Sequence, residues 1–228
     1  MNNIPKHIVL FPDGNRRWAK KKGAISFDGH KQGYKNIIEF TLWCKNRGVK
    51  IITAFGFSTE NWNRSEEEIN YLMKLLESGL LESFEKFKKE GIKVKIIGQK
   101  EKLPDSLQRV VNIIEKETES NNNLCLNLAI SYGGKWDILS AVKKIIKEKI
   151  DLSKIDEKLF ESHLSTAGLP QPDLVIRAGG EMRLSNFLLW QAAYSELYFS
   201  KKLWPDFTEN DLDLALQEFD KRNRRFGK

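Results

Sequence analysis

The chain has 228 residues, 40% of them hydrophobic and 11% aromatic, enough apolar surface to offset its ordering entropy, which excludes disordered, collagen-like and mucin-like classes. With 38 Lys and Arg against 31 Asp and Glu the formal charge is +7, so the chain attracts anions: phosphates, nucleic acid or an acidic membrane surface. Cys44 and Cys125 form no CxxC pair, so neither a disulfide framework nor a cysteine zinc site is supported, and a reducing cytosol fits best.

Met1 to Pro5 lack the basic start and apolar core of a signal peptide. No apolar run approaches the ~20 residues that cross a bilayer, so any membrane contact is peripheral or made through a lipid-like ligand. The next residues begin an alternation of short β-branched or aromatic runs with longer segments of helical period, the pattern of an α/β protein with a mainly parallel sheet flanked by helices. In chain order the pattern predicts strands at His7–Phe11, Lys50–Phe57, Lys93–Ile97, Leu124–Ser131, Asp173–Arg177 and Glu196–Phe199. It predicts helices at Lys31–Arg47, Ser65–Glu90, Pro104–Ser120, Trp136–Glu148, Lys154–Ala167, Asn186–Tyr194 and Thr208–Asn223. Ser65 ahead of Glu66, Glu67 and Glu68 reads as an N-cap followed by acidic residues that complement the helix dipole. No repeat or flexible linker divides the chain, so residues 1–228 are read as one domain.

Ligands of open α/β sheets bind beyond the carboxyl ends of the strands, and four segments just past apolar runs carry unusual chemistry. In Pro12-Asp13-Gly14-Asn15-Arg16-Arg17-Trp18 a carboxylate suited to a hard cation precedes an open backbone, an amide and two guanidiniums suited to phosphate oxygens. An Asp-Gly turn with solvated arginines explains the same letters about as well. His30, before a long helical run, is placed to meet an anion, although a lone histidine is more often a surface or core residue. Ser58-Thr59-Glu60-Asn61-Trp62-Asn63-Arg64 sets small proton-relaying groups beside a guanidinium and an aromatic face; a capping loop with a packed tryptophan is the plainer reading. Tyr132-Gly133-Gly134-Lys135 follows the fourth strand. In Arg177-Ala178-Gly179-Gly180-Glu181-Met182-Arg183-Leu184-Ser185 two arginines flank glycines whose N–H groups can form an anion nest, with salt bridging to Glu181 as the alternative. Glu196, a charge inside an apolar run, either faces solvent or serves as a second carboxylate for a cation at Asp13.

The chain contains no GxxxxGK[ST], GxGxxG, HExxH, GxSxG or CxxC, and no DDxxD pair. Asp13-Gly14-Asn15-x-Arg17-Trp18-Ala19, Gly29-His30-x-x-Gly33, Phe57-Ser58-x-Glu60-Asn61-Trp62-x-Arg64, Tyr132-Gly133-Gly134 and Arg177-x-Gly179-Gly180-Glu181-x-Arg183-x-Ser185-Asn186-Phe187 together resemble the cis-prenyltransferases. The resemblance runs in order from about His7 to the Arg222-x-Arg224-Arg225-Phe226-Gly227 tail. It implies that fold with its apolar tunnel, and a Mg²⁺-dependent, sequential condensation of isopentenyl diphosphate onto an allylic diphosphate, commonly farnesyl diphosphate. The implied product is a long-chain polyprenyl diphosphate, undecaprenyl diphosphate, that serves as the lipid-carrier precursor of cell-wall polysaccharide synthesis. By the same resemblance Asp13 and Glu196 bind Mg²⁺, and Gly14, Asn15, Arg17, Trp18 and His30 hold the allylic diphosphate. Ser58, Thr59 and Glu60 line its neighbourhood, and Asn61 is the proton acceptor with Trp62 and Arg64 beside it. Arg177, Arg183 and Ser185 then form the isopentenyl diphosphate site, and Leu184 is a further substrate-binding residue. A homodimer is implied too, with Phe187–Phe199 and the Arg-rich tail as candidate interface pieces.

This sequence departs from the family pattern at Pro12 (commonly Met), Arg16 (Gly), Ser26 (Arg), Lys135 (Arg) and Met182 (His). Arg16 is expected to compensate in the allylic site for the charge missing at Ser26. A nucleic-acid or anionic-membrane binder would instead cluster its basic residues on one face, whereas here the lysines scatter over amphipathic helices. A catalytically inactive partner protein is the third reading; the retained Asp13, Asn61, Arg177, Arg183 and Glu196 argue against it.

Overall fold

A computed structural model describes residues Asn3 to Arg222. The strands β1 (His7–Phe11), β2 (Ile51–Ser58), β3 (Ile92–Ile97), β4 (Leu124–Tyr132), β5 (Leu174–Arg177) and β6 (Glu196–Phe199) form one sheet in the order β3-β4-β2-β1-β5-β6. Every pairing is parallel. The helices are α1 (Asn15–Lys21), α2 (Ser26–Asn46), α3 (Glu66–Lys89), α4 (Asp105–Glu117), α5 (Gly134–Lys147), α6 (Glu157–His163) and α7 (Glu209–Lys221).

Parallel strands covered on both faces read as continuous apolar runs, and successive side chains serve opposite faces. Ile8, Leu10, Ile52, Ala54, Leu126, Leu128 and Ile176 face the larger core with α2, α3, α4 and α7, where Phe40, Leu80, Phe87, Trp204 and Phe219 are buried. Val9, Phe11, Ala129 and Val175 face a second core of Phe187, Leu188 and Ala192. Phe187 lies flat on Phe55 with ring centroids 4.1 Å apart.

Three helix expectations are corrected. Residues 15–21, read from sequence as loop, form α1, and α2 begins at Ser26 rather than Lys31. The cause is a helix crossing: a Cβ on Gly29 would lie 2.1 Å from the Asn15 carbonyl oxygen, and one on Gly33 2.4 Å from its Oδ1. Gly29 and Gly33 are both inside α2, where their bareness lets α1 lie against it. The expected helix at Asn186–Tyr194 does not form. Ser185, Asn186 and Leu188 have φ of 43°, 61° and 46°, and successive left-handed residues cannot join a right-handed helix. The segment's apolar side chains fill the second core instead. Ser65 does cap α3, its Oγ accepting from Glu68 N at 3.3 Å. No helix among the described residues is long and apolar enough to cross a membrane.

Candidate active site

The sheet extends from β1 toward β2, β4 and β3 on one side and toward β5 and β6 on the other. Ligands of open parallel sheets sit at such a junction, beyond the carboxyl ends, and here a cavity of about 770 Å³ opens. It draws Asp13, Gly14, Asn15, Arg16 and Arg17 from the end of β1, Ser58, Glu60, Asn61 and Arg64 from the end of β2, His30 from α2, and Arg177 and Ser185 from the end of β5. A register shift between Phe55 and Phe57 breaks the pleat, so Phe55, Gly56, Phe57 and Ser58 all line it. Its inner wall is apolar: Tyr34 and Ile37 of α2, and Leu72, Leu75 and Leu76 of α3.

Asp13 lies between two guanidiniums. Arg177 Nη2 donates to its Oδ2 at 2.9 Å and Arg17 Nη2 to its Oδ1 at 3.3 Å. Arg177 is almost fully buried, its charge 5.0 Å over the Phe11 ring. It also donates to Ser185 Oγ at 2.8 Å and to the Arg183 carbonyl, and its Nε is buried without a partner. Such a side chain persists only when its partners satisfy it, so β5 presents a fixed cation to the cavity. Arg17 Nη1 donates to the Gly179 carbonyl at 2.7 Å, and Gly179, at φ 91°, brings its backbone within reach where a side chain would strike that guanidinium. Glu181 bridges Arg17 and Arg183.

A second knot surrounds Glu68, on the first turn of α3. Its carboxylate is 2.9 Å from Arg64 Nη1, 3.6 Å from His30 Nε2 and 3.9 Å from Arg16 Nη1. Burial, reinforced by the charges of Arg64 and Arg16 and only partly opposed by Glu68, brings the His30 pKa down to about 4. His30 Nε2 and Asn15 Oδ1 are buried polar atoms without a hydrogen-bond partner. Asn61 Oδ1 accepts from Ser58 N at 3.1 Å, the reciprocal half of a capping box. Glu60 Oε1 accepts from Asn186 Nδ2 at 2.7 Å; burial alone raises its pKa, and the hydrogen bonds from Asn186 and its own loop carry it below the usual value.

Other expected site residues stand elsewhere. Trp18 Nε1 donates to Asp206 and Trp62 Nε1 to Ser131, so both rings brace the site from outside the cavity lining. Thr59, Arg183 and Leu184 flank the lining, and Ser26 opens α2 without joining it. Arg16 does join the lining. Met182 is exposed.

The expected pairing of Asp13 with Glu196 does not occur within the chain. Glu196 is in register with Leu174, and Leu174 with Ile8, so it lies at the amino end of the sheet while Asp13 follows the carboxyl end. Parallel strand direction separates them, and Arg222 Nη1 holds Glu196 at 2.9 Å. Arg224, Arg225, Phe226 and Gly227 fall outside the described residues. Glu68 and Tyr34 were missed from sequence. The triple Glu66-Glu67-Glu68 explained itself as a helix start, and Tyr34 carried no motif.

The family model described as "Putative undecaprenyl diphosphate synthase" matches residues 11–227. A chloroplastic (2Z,6Z)-farnesyl diphosphate synthase of Solanum lycopersicum is 50% identical over 230 residues, covering 98% of this chain and 79% of that protein. A (2E,6E)-farnesyl-diphosphate-specific ditrans,polycis-undecaprenyl-diphosphate synthase of Acinetobacter baylyi is 45% identical, covering 100% and 93%. The crystal structure of lavandulyl diphosphate synthase from Lavandula x intermedia, in complex with dimethylallyl diphosphate, superposes with a TM-score of 0.94 at 37% identity and covers 99% of both chains.

Proposed function

We propose, for a chain that belongs to the undecaprenyl diphosphate synthase family of prenyltransferases, that this cavity condenses isopentenyl diphosphate onto an allylic diphosphate, with farnesyl diphosphate as the starter. Each turn adds a five-carbon unit through a cis double bond, and repetition yields a polyprenyl diphosphate. The long product expected from sequence agrees with the name of the Acinetobacter relative, and the tomato relative is named for a short one. The observation that carries the reading is a single cavity that joins cationic and amide donors at the ends of β1, β2 and β5 to an apolar interior between α2, α3 and the sheet.

Departure of diphosphate from an allylic carbon builds negative charge on phosphate oxygens, and donors fixed beforehand stabilise that charge more than the ground state. Gly14, Asn15, Arg16, Arg17 and His30 are assigned to the allylic diphosphate. Asn15 Oδ1 and His30 Nε2, buried without partners, mark where ligand contacts are still to be made. Arg177, Arg183 and Ser185 are assigned to isopentenyl diphosphate, with Arg183 swinging from Glu181. Asn61 is assigned the proton lost from the isopentenyl unit: its oxygen keeps one lone pair beyond the bond to Ser58 N. Phe55, Phe57, Leu72 and Leu76 keep water from the carbocationic carbon.

Mg²⁺ is the cofactor we assign. The donor set fits it, because this ion is usually held by one or two carboxylates together with substrate phosphates, and Asp13, at the end of β1, is a carboxylate of the cavity lining set among its guanidiniums. When bound it neutralises diphosphate charge. We also assign a homodimer, which sedimentation would detect: Leu139, Val142 and Ile146 leave an apolar stripe on α5 exposed, whereas Phe187 and Leu188 serve the chain's own core.

The test is incubation with farnesyl diphosphate, labelled isopentenyl diphosphate and Mg²⁺, followed by sizing of the butanol-extractable product. A metal-dependent polyprenyl product is expected, and its absence ends the reading.

A further inference from the structure

Three strand-end loops meet at one side chain, Asn186, which lines the cavity next to Ser185. Its Nδ2 donates to Glu60 Oε1 at 2.7 Å, in the loop after β2. Its Oδ1 accepts from Lys135 N at 2.9 Å and its carbonyl from Gly134 N at 2.6 Å, so it also seats the first turn of α5 after β4. The fit is close: a Cβ on Gly133 would lie 2.9 Å from Asn186 Nδ2 and 2.5 Å from Thr59 Oγ1. Ser185 and Asn186 are both left-handed, at φ 43° and 61°. That turn gives Ser185 Oγ to Arg177 while the neighbouring amide reaches Glu60.

We infer that Asn186 is a positioning residue that sets the isopentenyl diphosphate site against the proton acceptor Asn61. The inference rests on the prenyl-transfer reading and deepens it. One residue before Asn186, Ser185 Oγ accepts from Arg177 Nη1 at 2.8 Å. One residue after Glu60, Asn61 Oδ1 accepts from Ser58 N at 3.1 Å. The bond from Asn186 to Glu60 is thus a direct tie between the loop that holds isopentenyl diphosphate and the loop that takes its proton. Each loop keeps its own anchors without the tie: Arg177 is held by Asp13 and the Arg183 carbonyl, and Asn61 by its capping box. Loss of the tie therefore spares the affinity for each diphosphate and removes the registration between reacting groups, where a displacement of about 1 Å costs about 10²-fold in rate.

The experiment measures kcat, and KM for farnesyl and isopentenyl diphosphates, with Mg²⁺ in wild type, Asn186→Asp, Asn186→Ala, Glu60→Gln and the double variant Asn186→Asp with Glu60→Gln. Urea titration identifies the variants that fold. Asn186→Asp suits the left-handed backbone and keeps an acceptor for Lys135 N, but it sets a carboxylate against Glu60. Its kcat is expected to fall about 10²-fold with both KM values little changed. Asn186→Ala, which removes the bond without adding charge, is expected to behave alike and stands in for Asn186→Asp should that variant not fold. In the double variant the amide introduced at position 60 donates to the carboxylate introduced at position 186, the same bond with its polarity reversed. Its kcat is expected to return to that of Glu60→Gln alone, a coupling that the double-mutant cycle reads. With an active wild type, a double variant no faster than Asn186→Asp, or a normal kcat in the folded Asn186 variants, overturns the inference alone. A raised KM for isopentenyl diphosphate at unchanged kcat makes Asn186 a binding residue and overturns it too. A wild type that makes no product overturns the prenyl-transfer reading and the inference with it.

Discussion

Asp13 serves the resting geometry and, on the prenyl-transfer reading, the reaction as well. Its carboxylate is about one-third exposed and bridges Arg17 and Arg177, and Arg177 keeps Ser185 Oγ and the Arg183 carbonyl if Asp13 is removed. Asp13→Ala is therefore expected to lower stability by only about 1 kcal/mol, since solvent screens the lost pair. Turnover should fall by about 10²–10³-fold, the scale of losing a group that organises transition-state charge. Denaturant titration beside a steady-state assay checks both, and near-normal turnover would remove Asp13 from the chemistry. His30 gives a pH signature. Its folded pKa of about 4 lies below the ordinary 6.5, so the unfolded chain binds the proton first as pH falls from about 6.5 to about 4, and stability declines across that window. His7, also lowered by burial, acts with the same sign. The difference between wild type and His30→Gln isolates His30: the variant should lose up to about 3 kcal/mol of that acid-side decline. An equal fall in unfolding free energy between pH 7 and pH 4.5 for the two proteins, read from urea melts, would show that His30 takes up its proton alike in the folded and unfolded states.

Among the elements, the segment after β5 departs furthest from its own periodicity. Asn186 holds φ 61° and ties three pieces together: its Oδ1 accepts from Lys135 N at 2.9 Å, its Nδ2 donates to Glu60 at 2.7 Å, and its carbonyl accepts from Gly134 N at 2.6 Å. Asn186→Ala is expected to cost about 2–3 kcal/mol, from left-handed strain and two lost hydrogen bonds. Asn186→Gly, which relieves the strain, should cost about half as much by chemical denaturation, and equal losses would mean that the backbone angle contributes little. No sequence pattern announces this arrangement, because apolar residues at 187, 188 and 192 fit a helix as well as a plug of the second core. The start of α2 was hidden in another way: Gly29 was placed ahead of the helix, whereas it and Gly33 lie inside it where α1 packs against them. The strands were legible, their buried parallel pairing leaving apolar runs with little polar contamination, and His7–Phe11 and Glu196–Phe199 match the expected bounds to the residue.

At the scale of the molecule, the rule that ligands gather beyond the carboxyl ends of a parallel sheet made most of the site legible. Asp13, Ser58, Asn61, Arg177 and Ser185 come from three separate strand ends and line one cavity. Glu196 was misplaced because a run of letters does not say which end of its strand a residue occupies; only register against Leu174 and Ile8 does. Glu68 and Tyr34 escaped because their distant partners, Arg16 and His30 for one and Gly79 and Ser83 for the other, are brought close only by the packing of α1 on α2 and of α2 on α3. The clasp of Asp13 by two guanidiniums has a consequence for selectivity. A ligand must win those cations from an internal competitor, so binding is an exchange of counterions rather than a simple gain. An anion that offers one oxygen can displace one contact and leaves the other in place, whereas a group with several charged oxygens can meet both guanidiniums and free the carboxylate. Affinity for an anion is therefore expected to rise with the number of charged oxygens it presents, a consequence of how the protein neutralises itself.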